Sequence, residues 1–248
     1  MRCARFLLLI LFLAAVSGSR TEEVQAHGLI FEHWVCDTFF GGYRPLVYTQ
    51  KWDIPAAANS AHGGVPANPK ATRFGTPVGL GDALRQYDIE EPFLLILGYW
   101  EQIAPTEKRF VKLLGLRVEP AAWRGLWGPV TRADLERLDA LIKDRSLSPV
   151  EARLRAQELK IQPPFSRAVF VLNPKIDAQG QRRLQCSLRF ADVLKYLAPE
   201  VSPEPETHPA LWGVAFPARW SPDQGDSGRR IKMFRLKTLC PTTVHRFI

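Results

Sequence analysis

Cysteine and histidine are scarce, with 4 and 5 residues in a chain of 248, and none stands in a CxxC pair or a Cys/His run with zinc-ligand spacing. A structural zinc site is therefore not expected. The cysteines are also too few and too far apart for a disulfide-stapled fold, and Cys36, Cys186 and Cys240 read as buried thiols. Long apolar runs are missing too. The longest, Phe6 to Val16, would rise only about 16 Å as a helix, short of a hydrocarbon core of about 30 Å, so no stable membrane anchor is expected. The glycines of the 75–82 stretch lack GxGxxG spacing, because Leu84 stands where the third would fall, and a dinucleotide site gains no support. No internal repeat is present. With 46% hydrophobic and 23% charged residues, the chain has neither the low hydrophobicity nor the charge density of disorder, and a folded core is expected.

Positive charge is in excess: 33 Lys+Arg against 25 Asp+Glu give a formal charge of +8. That balance favours an anionic partner, nucleic acid before membrane. At the start, Arg2 and Arg5 precede the Phe6–Val16 run, and Ser17-Gly18-Ser19 supplies small residues for cleavage. Residues 1–19 thus have the form of a secretory signal peptide, which would place the protein in a secreted or periplasmic setting. A true start near Arg20 or Val24 is the other reading, with a cytoplasmic protein as its consequence.

The apolar spacing of Ile30, Phe31, Trp34 and Val35 predicts a helix over about 22–40, ended by Gly41-Gly42, with Glu32 beside the apolar stripe. Leu46 to Ile54 reads as a strand. The Val65–Ala71 stretch reads as a second extended piece, restricted by its two prolines and close enough to lie antiparallel to the first. Residues 75–82 read as a glycine-rich loop, with Asp82 as N-cap of a short helix. Phe93 to Trp100 is a continuous apolar run that suits a strand buried on both faces at the centre of a sheet, with Phe110–Val118 near its edge. Thr131-Arg-Ala-Asp134 and Ser148-Pro149-Val-Glu151 are capping-box starts that predict a helical hairpin over 131–161. Its basic residues, among them Arg132, Arg137, Lys143, Arg145, Arg153, Arg155 and Lys160, are interleaved with acids and read as a solvated surface. Two strands around 168–172 and 183–190, a helix from Ala191 to Leu197 and extended pieces at 211–220 and 231–236 complete the chain. The order places it in the α/β or α+β class, with an α/β core over 20–128, a helical hairpin over 129–162 and a strand-rich extension over 163–248 packed on the core.

The chemically suggestive set is Glu32 on the first helix, Asp53 at the end of the next strand, and Asn68-Pro69-Lys70 on the one after. Phosphodiester cleavage at neutral pH calls for acidic oxygens to hold Mg²⁺ and often for a lysine near the attacking water. The motifs Gly28-Leu-Ile-Phe-Glu32-His-Trp-Val35, Lys51-Trp-Asp53-Ile-Pro55, Asn68-Pro-Lys70, Val78 to Gln86 and Phe93 to Trp100 follow one another in an order that resembles the PD-(D/E)XK, or restriction-endonuclease-like, superfamily. The resemblance covers about a third of the chain. It implies a mixed sheet core flanked by helices and metal-dependent cleavage of DNA. By that resemblance Asp53 and Asn68 are the metal ligands, Lys70 stands beside the attacking water, and Glu32 is a supporting acid. The chain departs from the family at Asn68, where Glu or Asp is usual: an amide oxygen can coordinate a hard cation but adds no negative charge.

Arg85 and Gln86, on the helix after the x-Lys strand, are candidate phosphate contacts, and equally candidates for packing. Trp52 and Trp100 could stack on bases, but beside strand runs they read first as core. Two functions therefore stand: a Mg²⁺-dependent endonuclease, or a non-catalytic secreted module whose basic surface binds an anionic polymer or a protein partner.

Overall fold

The computed structural model describes residues 28–45, 51–104, 107–177 and 180–217. They form a mixed α/β structure with three small sheets. Helix α1 spans 28–39 and buries Phe31, Val35 and Cys36. It closes where Gly41 and Gly42 take φ of +60° and +77°, and the Gly42 N–H donates to the Cys36 carbonyl at 2.9 Å. This is the left-handed ending that glycine provides without strain.

The first sheet has the order β1-β3-β4, with β1 at Ala67–Arg73, β3 at Phe93–Ala104 and β4 at Glu107–Val118. β1 runs parallel to β3, and β3 antiparallel to β4. The continuous apolar run of β3 has its reason in two cores. Phe93, Leu95, Leu97 and Tyr99 enter the larger one, with Trp123, Leu135 and Leu184, while Leu94 and Ile96 enter the smaller one, with Phe31 and Val35 of α1 and Phe110 of β4. The central place expected for this strand is the one it holds. At Gly98 the layers meet so closely that a Cβ would lie 2.7 Å from the rings of both Phe31 and Phe110.

The second sheet, β2-β6-β5, is antiparallel and comprises Val78–Asp82, Arg182–Leu188 and Val171–Ile176. Here the expected loop over 75–82 is corrected. Val78 and Leu80 are buried and alternate with Gly79 and Gly81, and the strand pairs with β6 across a bulge at Gly79/Gly81. Its partner lies about a hundred residues downstream, beyond the reach of local pattern. Helix α2 (Ala83–Tyr87) follows directly, capped as expected by Asp82, whose side chain accepts the Arg85 N–H.

Helix α3 spans Pro120–Gly125, and α4 (Arg132–Lys143) with α5 (Pro149–Lys160) forms the expected hairpin, both capping boxes being complete. Its basic residues lie on the solvated surface expected of them, Lys160 alone being half-buried, and three also reach main-chain carbonyls: Arg145 donates to Gly180 at 2.8 Å, Arg153 to Ile176 at 2.7 Å and Lys160 to Leu172 at 3.0 Å. The last two close the outer edge of β5, where Pro174 between them has no N–H to offer. Arg182 of β6 reaches the other way, to the carbonyls of Ile142 (3.3 Å), Leu147 (2.8 Å) and Asp144 around the end of α4. Helix α6 (Phe190–Leu197) and the short pair β7 (Ala210–Leu211) and β8 (Val214–Ala215) follow, with Leu211 and Phe216 sealing the smaller core. The larger core runs without a break from Trp52 to Ala198 and so unites the 20–128 segment, the hairpin and the strands after it. The signal-peptide stretch, Leu46–Gln50 and the 231–236 piece lie outside the described residues.

Candidate functional site

Asp53 is placed by its neighbours. Trp52 is buried in the larger core, Ile54 in the smaller, and the acid between them is held at the edge of the first sheet. Ile54 and Ala67 exchange backbone hydrogen bonds of 3.0 and 2.8 Å in a single antiparallel bridge. The next pair of such a ladder would need an N–H at position 69, and proline has none, so among the described residues the pairing expected between the two extended pieces is a single bridge. A second anchor holds the segment from outside: Glu91 accepts from Lys51 Nζ and Trp52 Nε1, each at 2.9 Å. The Lys51 bond, then the Trp52 bond, keep the Glu91 carboxyl below the ordinary glutamate range.

Asn68 and Lys70, two apart on β1, grip Asp53 from the same strand. Asn68 is buried, and its Oδ1 accepts the Asp53 N–H at 3.1 Å. Lys70 Nζ is hydrogen-bonded and ion-paired to Asp53 Oδ2, with the two side chains 27% and 31% exposed, so solvent reaches the pair. Glu32 comes in from α1, half-buried beside Phe31. Its carboxyl is pushed above the ordinary range, first by burial and then by the charge of Asp53, while Lys70 and Arg44 act in the opposite direction. One turn later Cys36 is raised to about 12, again by burial first and by Glu32 second, which leaves it an inert thiol.

The structure thus brings Glu32, Asp53, Asn68 and Lys70 into one neighbourhood. Arg85 is exposed on α2, whereas Gln86 is buried and donates from Nε2 to the Leu80 carbonyl at 2.9 Å. Its main-chain carbonyl accepts from Trp123 Nε1 at 3.0 Å, so Gln86 ties β2, α2 and α3 together. Trp52 packs on Phe93, and Trp100, partly buried, lies on the smaller core beneath Lys108. Neither ring is arranged as a base platform. Glu91 and Arg44 were not singled out by the sequence. Glu91 had one signal, its place two residues before the β3 run, but a partner on the segment around residue 52 leaves no local pattern.

The Asp53 carboxylate pairs with the Lys70 ammonium, Glu32 lies near enough to feel both charges, and a Mg²⁺ ion that keeps most of its waters needs one or two such carboxylates from the protein. To that extent the residues fit the ion. The Asn68 carbonyl oxygen already accepts the Asp53 N–H, which leaves one of its two lone pairs for a cation. Among the described residues, no group of three or more His, Cys, Asp and Glu is gathered as a ready-made metal cage. No family model, no curated protein and no solved structure matches the chain.

Proposed function

We propose that this chain is a metal-dependent nuclease that hydrolyses phosphodiester bonds, with DNA as its substrate, built on a restriction-endonuclease-like core. The observation that carries the reading is the Asp53–Lys70 pair with Glu32 beside it, drawn from a helix, a bent edge segment and a strand in that chain order. The parallel pairing of the x-Lys strand with the buried strand after the next helix supports it as well. Asp53 and Glu32 are the groups that would hold Mg²⁺, which supplies Lewis acidity toward the phosphate and a bound water of lowered pKa. Lys70 brings a cation to the same edge, where it orients an anionic phosphate and offsets the negative charge that develops on its oxygens. Glu32, with its raised carboxyl pKa, accepts a proton more readily than a surface glutamate does. If residues 1–19 are removed as a signal peptide, the enzyme acts outside the cytoplasm.

A non-catalytic secreted binding module is the second reading. One observation favours it: Asp53 is satisfied at both its N–H and its carboxylate before any ligand arrives.

Cleavage of plasmid DNA by protein beginning at Arg20, with Mg²⁺, Mn²⁺ or EDTA, separates the two. The nuclease reading expects metal-dependent cleavage that falls by at least about a hundredfold in Asp53→Ala and Lys70→Ala. Intact plasmid in every lane, from protein whose circular dichroism shows it folded, overturns that reading and leaves the binding module, for which DNA affinity is then measured.

A further inference from the structure

The residue at position 68 has a different task from the one its place in the motif assigns. We infer that Asn68 is a positioning residue that locks the main chain of Asp53 to β1, and that it is not a ligand for a metal ion. The clamp rests on geometry; its consequence for catalysis rests on the nuclease reading above.

Asp53 lies at a bend, where a regular ladder cannot form because Pro69 interrupts it. Its N–H would otherwise be left without a strand partner, and Asn68 Oδ1 accepts it at 3.1 Å. Asn68 is only 6% exposed, so a lost bond there would not be replaced readily by water. Two residues on, Lys70 takes the Asp53 carboxylate. β1 therefore holds this acid at two points, main chain by the amide and side chain by the ammonium, and the ladder bonds of Ile54 fix the next residue. This N–H takes one of the two lone pairs of the Asn68 oxygen, and a cation drawn to the other would compete with it and weaken the hold on the Asp53 backbone. An asparagine is suited to the clamp because its oxygen accepts without adding a third negative charge beside Asp53 and Glu32.

The test is made on the folded chain from Arg20 by NMR. In the wild type, a scalar coupling across the hydrogen bond, from the Asp53 amide ¹⁵N to the Asn68 side-chain ¹³Cγ, is expected, and it is expected to persist in saturating Mg²⁺. In Asn68→Ala the Asp53 amide should exchange about tenfold faster or more, the factor that corresponds to about 1.4 kcal/mol. In Asn68→Asp, whose carboxylate accepts the same N–H, protection should return. Absence of the coupling in the wild type, or its loss on adding Mg²⁺, overturns the inference, as does an Ala variant that exchanges no faster. These readouts need no cleavage, so an inactive protein with the coupling intact counts against the nuclease alone. Loss of the coupling in a protein that cleaves DNA counts against the clamp alone. The wild-type measurement stands even where Asn68→Ala fails to fold.

Discussion

Lys112, on β4, is 1% exposed, yet its ammonium reaches Glu206, 94 residues further along the chain, at 2.6 Å. The backbone makes the same junction, for the Glu206 N–H donates to the Val111 carbonyl at 2.6 Å. The segment after α6 is thereby strapped over the edge of the first sheet.

Removing one partner should therefore cost more than replacing the cation. Glu206→Ala leaves a buried ammonium without its carboxylate and is expected to lower stability by about 1–3 kcal/mol, less than for a fully enclosed pair because Glu206 itself is 44% exposed. Lys112→Met, which keeps the apolar stem, should cost less. Urea denaturation midpoints of the two variants give the comparison.

The raised carboxyl of Glu32 has a sign that can be checked. The folded state holds the Glu32 proton more tightly than the unfolded chain, so its contribution favours folding at low pH. That contribution is lost as pH rises from the ordinary value of 4.5 through the raised one. Glu32→Gln, which keeps the uncharged shape, should be more stable than the wild type at pH 7, with the gap closing below pH 4.5. Thermal unfolding at the two pH values reads the difference, and an equal gap at both would contradict it. In the nuclease reading the same variant loses activity at pH 7.

Gly98 is a packing position shared by α1 and β4. Gly98→Ala drives a methyl group against Phe31 and Phe110 and should cost about 1–3 kcal/mol. Because Phe31 precedes Glu32 on α1, the change should also shift the Glu32 carboxyl resonance, which a carbon-detected NMR spectrum shows directly.

The β5 edge should depend on two side chains of α5. Arg153→Ala with Lys160→Ala removes the donors to the Ile176 and Leu172 carbonyls, each worth about 1 kcal/mol, and opens a strand edge. Lower stability together with concentration-dependent light scattering is the expected result. A strictly monodisperse double variant would mean that Pro174 alone protects the edge.

What the sequence made legible follows contact distance along the chain. The capping boxes at Thr131 and Ser148 are complete within four residues, and both helices begin where those residues place them. The apolar run at Phe93 carries its own evidence of burial on two faces. The strand at Val78–Asp82 was read as a loop because its glycines dominate the local pattern, while the pairing that makes it a strand comes from Cys186 and its neighbours. The spacing of Asp53 and Lys70 allowed their meeting to be anticipated. The choice of Asn68 between ligand and clamp was not, because it is decided by the bend at Asp53 and by the missing N–H of Pro69. The hairpin cations are the solvated surface their interleaved acids suggest, but only the folded chain shows that Arg153 and Lys160 also reach carbonyls of β5.

The two-faced strand β3 has a consequence for how this chain can change over time. Its odd positions, Phe93 to Tyr99, answer to the side of the molecule that carries the hairpin, and its even positions, Leu94 and Ile96, answer to α1, which bears Glu32. Substitutions on opposite faces share few neighbours and should combine nearly additively. The layer that carries Glu32 can thus drift while the layer behind the strand keeps the scaffold folded.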